Sequence, residues 1–137
     1  MSKTAPVPRP EHPQPQFQRE TWTNLNGTWE FELDPGQSGE DRGLAKGGRF
    51  GRKIVVPFCP ESQLSGIGIR DFMPCVWYRR SFSLPAAWKG RRVLLHFGAV
   101  DYGAYCLELH AFAALAEVRE YGAVEENGGR YPLLCLT

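Results

Sequence analysis

Residues 21–33 read TWTNLNGTWEFEL. Asn26-Gly27 is a turn dipeptide, and the residues after it alternate strictly. Trp29, Phe31 and Leu33 point one way, and Glu30 and Glu32 point the other. A period of two is the mark of a strand with one face on a core and one in water. The rest of the chain repeats this grammar in short units. RKIVVPF (52–58) is a β-branched run stopped by Pro57, which has no N–H to give to a ladder. VWYRRSFSL (76–84) alternates Tyr78, Arg80, Phe82 and Leu84 against Trp77, Arg79, Ser81 and Ser83. RRVLLHFGAVDY (91–102) sets Val93, Leu95 and Phe97 on a core face, with His96 outward. Short strands punctuated by proline and glycine predict an all-β sandwich.

The connections differ in character. Residues 1–19 hold five of the eleven prolines and little to bury, so 1–20 is expected to be a disordered arm before a domain over 21–137. DPGQSGEDRGLAKGGRFG (34–51) reads as a long, exposed, glycine-rich loop. After Tyr102 the pattern changes. Leu107, His110, Ala111, Ala114, Leu115 and Val118 recur at helical spacing, while Tyr105, Leu107 and Leu109 also alternate as a strand would. Propensity favours a helix near 107–120 and the neighbouring architecture favours a strand; the sequence leaves both open. An Asn127-Gly128-Gly129 turn then precedes a last short strand in RYPLLCLT (130–137).

Composition excludes several classes. The 137 residues suit one domain, and a net charge of +1 gives no electrostatic case for nucleic acid or an anionic membrane. No apolar run approaches a spanning helix, and the polar start lacks the apolar core of a signal peptide, so a cytoplasmic location is expected. Cys59, Cys75, Cys106 and Cys135 form no C-x-x-C pair and no His stands at ligand spacing from them. Buried thiols are expected, with no metal and no cofactor. The acidic pairs Glu30/Glu32 and Glu125/Glu126 fall on a solvated strand face and in a loop, without burial or partners to shift their titration. GIGIRD (66–71) is only superficially a phosphate loop, because no helix follows it.

The segment PFCPESQL (57–64) raises the functional question. Two prolines stiffen a loop placed just before an aromatic strand, and stiff loops at sandwich ends are where such folds put recognition. The loop carries Glu61, Ser62, Gln63, Arg70 and Asp71, which suit a hydroxyl-rich ligand. The plainer reading is that Glu61 and Ser62 cap the turn and that Asp71 pairs with Arg70 or Arg79.

WTNLNGTWEFELD (22–34), IVVPFCPESQLSGIG (54–68), DFMPCVWYRRSFSLPAAWKGRRVLLHFGAVDY (71–102) and GGRYPLLCLT (128–137) together resemble the sugar-binding domain of glycoside hydrolase family 2, which includes β-galactosidases, β-glucuronidases and β-mannosidases. Order and spacing fit from Trp22 to Tyr102. The resemblance implies a jelly-roll β-sandwich like galactose-binding domains. In that family it precedes an immunoglobulin-like domain and a barrel whose substrate pocket its loops help to wall. It implies carbohydrate as the ligand, with Asp71 first, Arg70 second and Glu61 also as substrate contacts, and the arginines of VWYRRSF facing the neighbouring domain or solvent. Residues 104–127 depart from the family pattern, and the sandwich is expected to be incomplete, with an open sheet edge available for self-association. Family 2 chemistry is retaining. It needs two carboxylates ~5–5.5 Å apart on a barrel of roughly 250 residues, so catalysis by this chain alone is not expected. The other readings are a small β-sandwich interaction module and a remnant without function.

Overall fold

The computed structural model describes residues 6–83, 85–88, 93–97, 104–105, 116–119 and 135–136. The protein is all-β. Among the described residues seven strands run in chain order: β1 (Gly27–Leu33), β2 (Arg52–Val56), β3 (Val76–Arg79), β4 (Val93–His96), β5 (Ala104–Tyr105), β6 (Ala116–Arg119) and β7 (Cys135–Leu136). A five-stranded sheet has the order β2-β1-β3-β7-β5, and a second sheet pairs β4 with β6. The pairs of the larger sheet are antiparallel; β4 and β6 are parallel.

Alternation in β1 sorts its side chains as the sequence predicts. Phe31 is fully buried and forms a cluster with Ile54, Val76 and Tyr78, against which Trp29, Leu33, Val56, Ile67, Met73 and Phe97 pack. Phe31 lies directly opposite Tyr78 in the ladder, and their rings meet edge to face at 5.1 Å. Such a cross-strand aromatic pair adds roughly 0.5–1.5 kcal/mol beyond the area it buries. Phe97 reaches this cluster from the end of β4, and His96 beside it is exposed, as the alternation requires.

The connection over 34–51 is exposed over much of its length, as expected, but it is pinned to the sheet at buried points. Asp34 is 1% exposed and Leu44 2%. Leu44 packs with Cys75 and Trp77 into a second cluster, joined by Ala45 and Phe50. The reason is a carboxylate cradle. Asp34 Oδ2 accepts from Gly39 N at 2.7 Å and from Trp77 Nε1 at 2.8 Å. Its Oδ1 accepts from Ser38 N at 3.0 Å and from Arg42 Nη2 at 3.0 Å. Gly39 lies against the Trp77 indole so closely that a Cβ would overlap the ring. A loop counted as hydrophilic by composition thus folds onto the sheet because one acid organises its backbone.

The segment near 107–120, open to a helix or a strand in the sequence, is a strand over 116–119. There β6 pairs with β4, Val93 opposite Ala116 and Leu95 opposite Val118, so pairing overrides helical propensity; residues 107–115 lie outside the described residues. The last strand is present as β7. In the arm, Asn24 donates to the Arg9 carbonyl, and Asn26 donates to those of Pro8 and Arg9. His12 meets Trp22 edge to face at 4.7 Å. Cys75 is buried, whereas the Cys59 thiol is exposed, against the expectation of burial; it follows Pro57 on the outer side of a turn.

Burial alone would raise the Asp34 titration, but hydrogen bonds from Trp77, Ser38, Gly39 and Arg42 win and hold it below its ordinary 3.8. A depressed folded-state value contributes stability that is present above the unfolded value and lost as pH falls through the folded one. Denaturation midpoints followed by Trp fluorescence are therefore expected to fall as the pH is taken below 3.8. In Asp34→Asn that part of the acid dependence is expected to vanish. In the core, Phe31→Ala is expected to cost about 3–5 kcal/mol by urea denaturation.

Candidate functional site

The loop from Pro57 to Cys75 is held at several points. The Val56–Pro57 peptide is cis. Phe58 N donates to Val55 O and Ser62 N to Cys59 O. The Ser62 hydroxyl accepts from Leu64 N at 3.2 Å and caps a single 3-10 turn over Gln63–Ser65. Ser65 is fully buried; its hydroxyl donates to Ser62 O at 2.7 Å and accepts from Ile67 N at 3.0 Å. Ile69 N donates to Pro60 O at 3.1 Å, closing the loop on itself. Ile67 and Met73 then anchor it to the core below.

That closure brings the backbone beside Arg70 against the backbone beside Glu61. Glu61, Arg70 and Asp71 are all exposed on the loop's outer side. Among the described residues Asp71 makes no ion pair, and the capping is done by Ser62 rather than Glu61. Leu64 (68% exposed) and Phe72 (90%) stand out in the same loop, so its outer side is apolar as well as polar. Beneath it, burial pushes the Tyr78 phenol above its usual range, and the charges of Glu61 and Cys59 push the same way. Sequence reading missed Ser65: a serine among loop residues carries no periodic signal, and its role appears only when its two backbone partners converge.

Arg79, the last residue of β3, and Arg80 after it each make specific contacts. Both are half-buried and engaged within the chain. Arg79 Nε bonds Glu30 Oε2 at 2.6 Å, its Nη1 donates to Gly48 O at 2.8 Å, and its guanidinium lies over the Phe50 ring at 4.2 Å. Arg80 Nη1 donates to the carbonyls of Leu25 (2.6 Å) and Asn26 (3.1 Å), with Trp29 at 5.8 Å. Glu30 and Glu32, expected to lack partners, both have them. Glu30 pairs with Arg79, its direct neighbour in the ladder. Glu32 accepts from Gly51 N at 2.7 Å and meets Arg42 at 3.4 Å. Glu125 and Glu126 lie outside the described residues. The hydrogen bond from Arg79 holds the Glu30 carboxyl below its ordinary 4.5; partial burial opposes this, and the charges of Arg79 and Lys53 add to it.

These residues form a second feature, centred on Glu30, Lys53 and Arg79 on the sheet face opposite Phe31 and reaching round to Trp29 and Arg80. The β1–β2 register sets Lys53 beside Glu30, and the β1–β3 register sets Arg79 on its other side. The row Lys53–Glu30–Arg79, with Thr28, Trp29, Arg80 and Ser81, lines an open groove of about 370 Å³. Each member is visible in the sequence, but the groove is not, because alternation gives the face and only the register gives the neighbour. Among the described residues there is no cluster of three metal-ligating side chains, and no helix is long and apolar enough to cross a membrane.

The chain is similar to a β-glucuronidase of Paenibacillus borealis, 28% identical over 93 residues, covering 64% of this chain and 16% of that protein. The chain thus spans about one sixth of that relative's length. No protein-family model matches the chain.

Removing the Arg79 guanidinium should release Glu30. In Arg79→Gln the side-chain carboxyl ¹³C shift of Glu30 is expected to titrate at a higher pH than in the wild type, closer to 4.5. An unchanged titration would mean that the ion pair does not set the value.

Proposed function

We propose that this chain is a non-catalytic sugar-binding domain of jelly-roll type from a family 2 glycosidase. In this reading its Pro57–Cys75 loop helps to wall the glycoside pocket of a separate barrel domain. The observation that carries the reading is the similarity to part of a β-glucuronidase, in a chain whose all-β sheet holds that loop rigidly between β2 and β3. The closures at Ile69–Pro60 and Ser65–Ser62 fix the loop before any partner arrives, so little ordering entropy is lost on contact.

In this role Asp71 and Arg70 are the polar contacts to a sugar hydroxyl, with Glu61 beside them. Phe72 and Leu64 supply the apolar surface that a neighbouring immunoglobulin-like or barrel domain covers. The carboxylate pair of a retaining glycosidase belongs to the barrel. The sheet edge at β2 is a second contact surface, through which separate chains self-associate when the other domains are absent.

The test is a ¹⁵N–¹H NMR titration of the whole chain with millimolar galactose, glucuronic acid and mannose. Dispersed peaks with shifts confined to residues 58–74 for one sugar are the expected result. A dispersed spectrum in which no sugar moves those residues would remove direct sugar contact by the loop from the proposal.

A further inference from the structure

The groove carries an inference that goes beyond the wall-forming role. Its charges do not balance. Lys53, Arg79 and Arg80 line it against one carboxylate among the described residues, Glu30. Arg79 and Glu30 neutralise each other at 2.6 Å. Arg80 is held by two carbonyl oxygens, which are neutral acceptors, so its charge has no counter-ion among the described residues. Lys53 is exposed and makes no ion pair among them. Lys53 stands beside Glu30, which it shares with Arg79, so the groove carries three cations against one carboxylate, with the excess positive charge at Lys53 and Arg80 and the hydroxyls of Thr28 and Ser81 on its lining.

The lining also discriminates between ligands. A bare oxyanion placed between the cations meets the negative charge of Glu30. A neutral sugar leaves both cations unmatched. A ligand that joins an anionic group to several hydroxyls answers both: its anion faces Lys53 and Arg80, and its hydroxyls donate to Glu30 and exchange hydrogen bonds with Thr28 and Ser81. The volume of about 370 Å³ is within the usual range of small-molecule sites and suits one sugar ring.

We infer that the Lys53–Glu30–Arg79 groove is a binding site for a small anionic carbohydrate, a sugar acid or a sugar phosphate. No residue of the Pro57–Cys75 loop lines it, and its charged row Lys53–Glu30–Arg79 is on the sheet face opposite Phe31. Because the groove is open, binding is weak and falls with salt.

The test is an NMR titration of the whole chain with glucuronate, glucose 6-phosphate, glucose and inorganic phosphate, for wild type and Lys53→Met. Lys53 is exposed, so the variant should keep the wild-type spectrum. The expected result is millimolar binding of glucuronate or glucose 6-phosphate, with shifts at residues 28–30, 53 and 79–81, weakened about tenfold in Lys53→Met. The two anionic ligands tell whether a carboxylate or a phosphate is preferred; glucose and inorganic phosphate should each bind more weakly. Equal binding by Lys53→Met, binding of inorganic phosphate as tight as that of the sugar anions, or no shift in the groove would overturn the inference. Shifts confined to 58–74 would overturn it too while leaving the loop proposal intact; shifts confined to the groove would do the reverse.

Discussion

The structure depends on one carboxylate. Asp34 directly follows β1 and is buried, and an ionised acid in that position is tolerable only if its oxygens are filled. They are, by two backbone amides of the following loop, by Arg42 and by the indole N–H of Trp77 on β3. Through these bonds a single side chain ties the end of β1, the loop over 35–51 and the middle strand of the sheet into one unit. Gly39 allows the loop to approach the indole, and Leu44 covers what the approach leaves open.

That anchoring divides the sheet's second face. At the Asp34 end, Leu44, Ala45 and Phe50 cover Trp77, and β3 becomes apolar on both sides. Beyond them no described residue covers that face, and Arg79 joins the covered and open parts through Phe50, Gly48 and Glu30. The uncovered remainder is the charged groove. The first face is filled by the Phe31 cluster and capped by the Pro57–Cys75 loop, whose own hydrogen bonds keep its outer residues displayed. The proposed loop contacts and the proposed groove site are thus both carried by the same packed strands. A mixed sheet environment of this kind, one face apolar throughout and the other half covered, suits a module that meets both a ligand and neighbouring domains.

Much of the fold was legible in the residues themselves. The alternation of Trp29, Phe31 and Leu33 announced the core face of β1, and Pro57 marked the end of β2. What was not legible depended on long-range partners. Asp34 is 43 residues from Trp77 in sequence, and nothing local distinguishes it from an ordinary turn aspartate. Residues 34–51 look solvated by composition because their one large aliphatic residue, Leu44, has no periodic neighbours. Arg79 and Glu30 are 49 residues apart, so their pairing waits on the register. In 116–119, Ala, Glu and Arg favour a helix locally, and pairing with β4 decides otherwise. The exposed positions of Glu61, Arg70 and Asp71 agree with a loop of surface residues, while the serines that shape it were visible only as polar loop composition.

The central claim is that Asp34 holds the 35–51 loop on the sheet. Hydrogen exchange of the Trp77 indole and the Gly39 amide, read by NMR in wild type and Asp34→Ala, tests it most directly. The account predicts strong protection of both protons in the wild type. In the variant it predicts their rapid exchange, with the β1–β2 amides still protected. Unchanged protection of Trp77 and Gly39 in Asp34→Ala would contradict it.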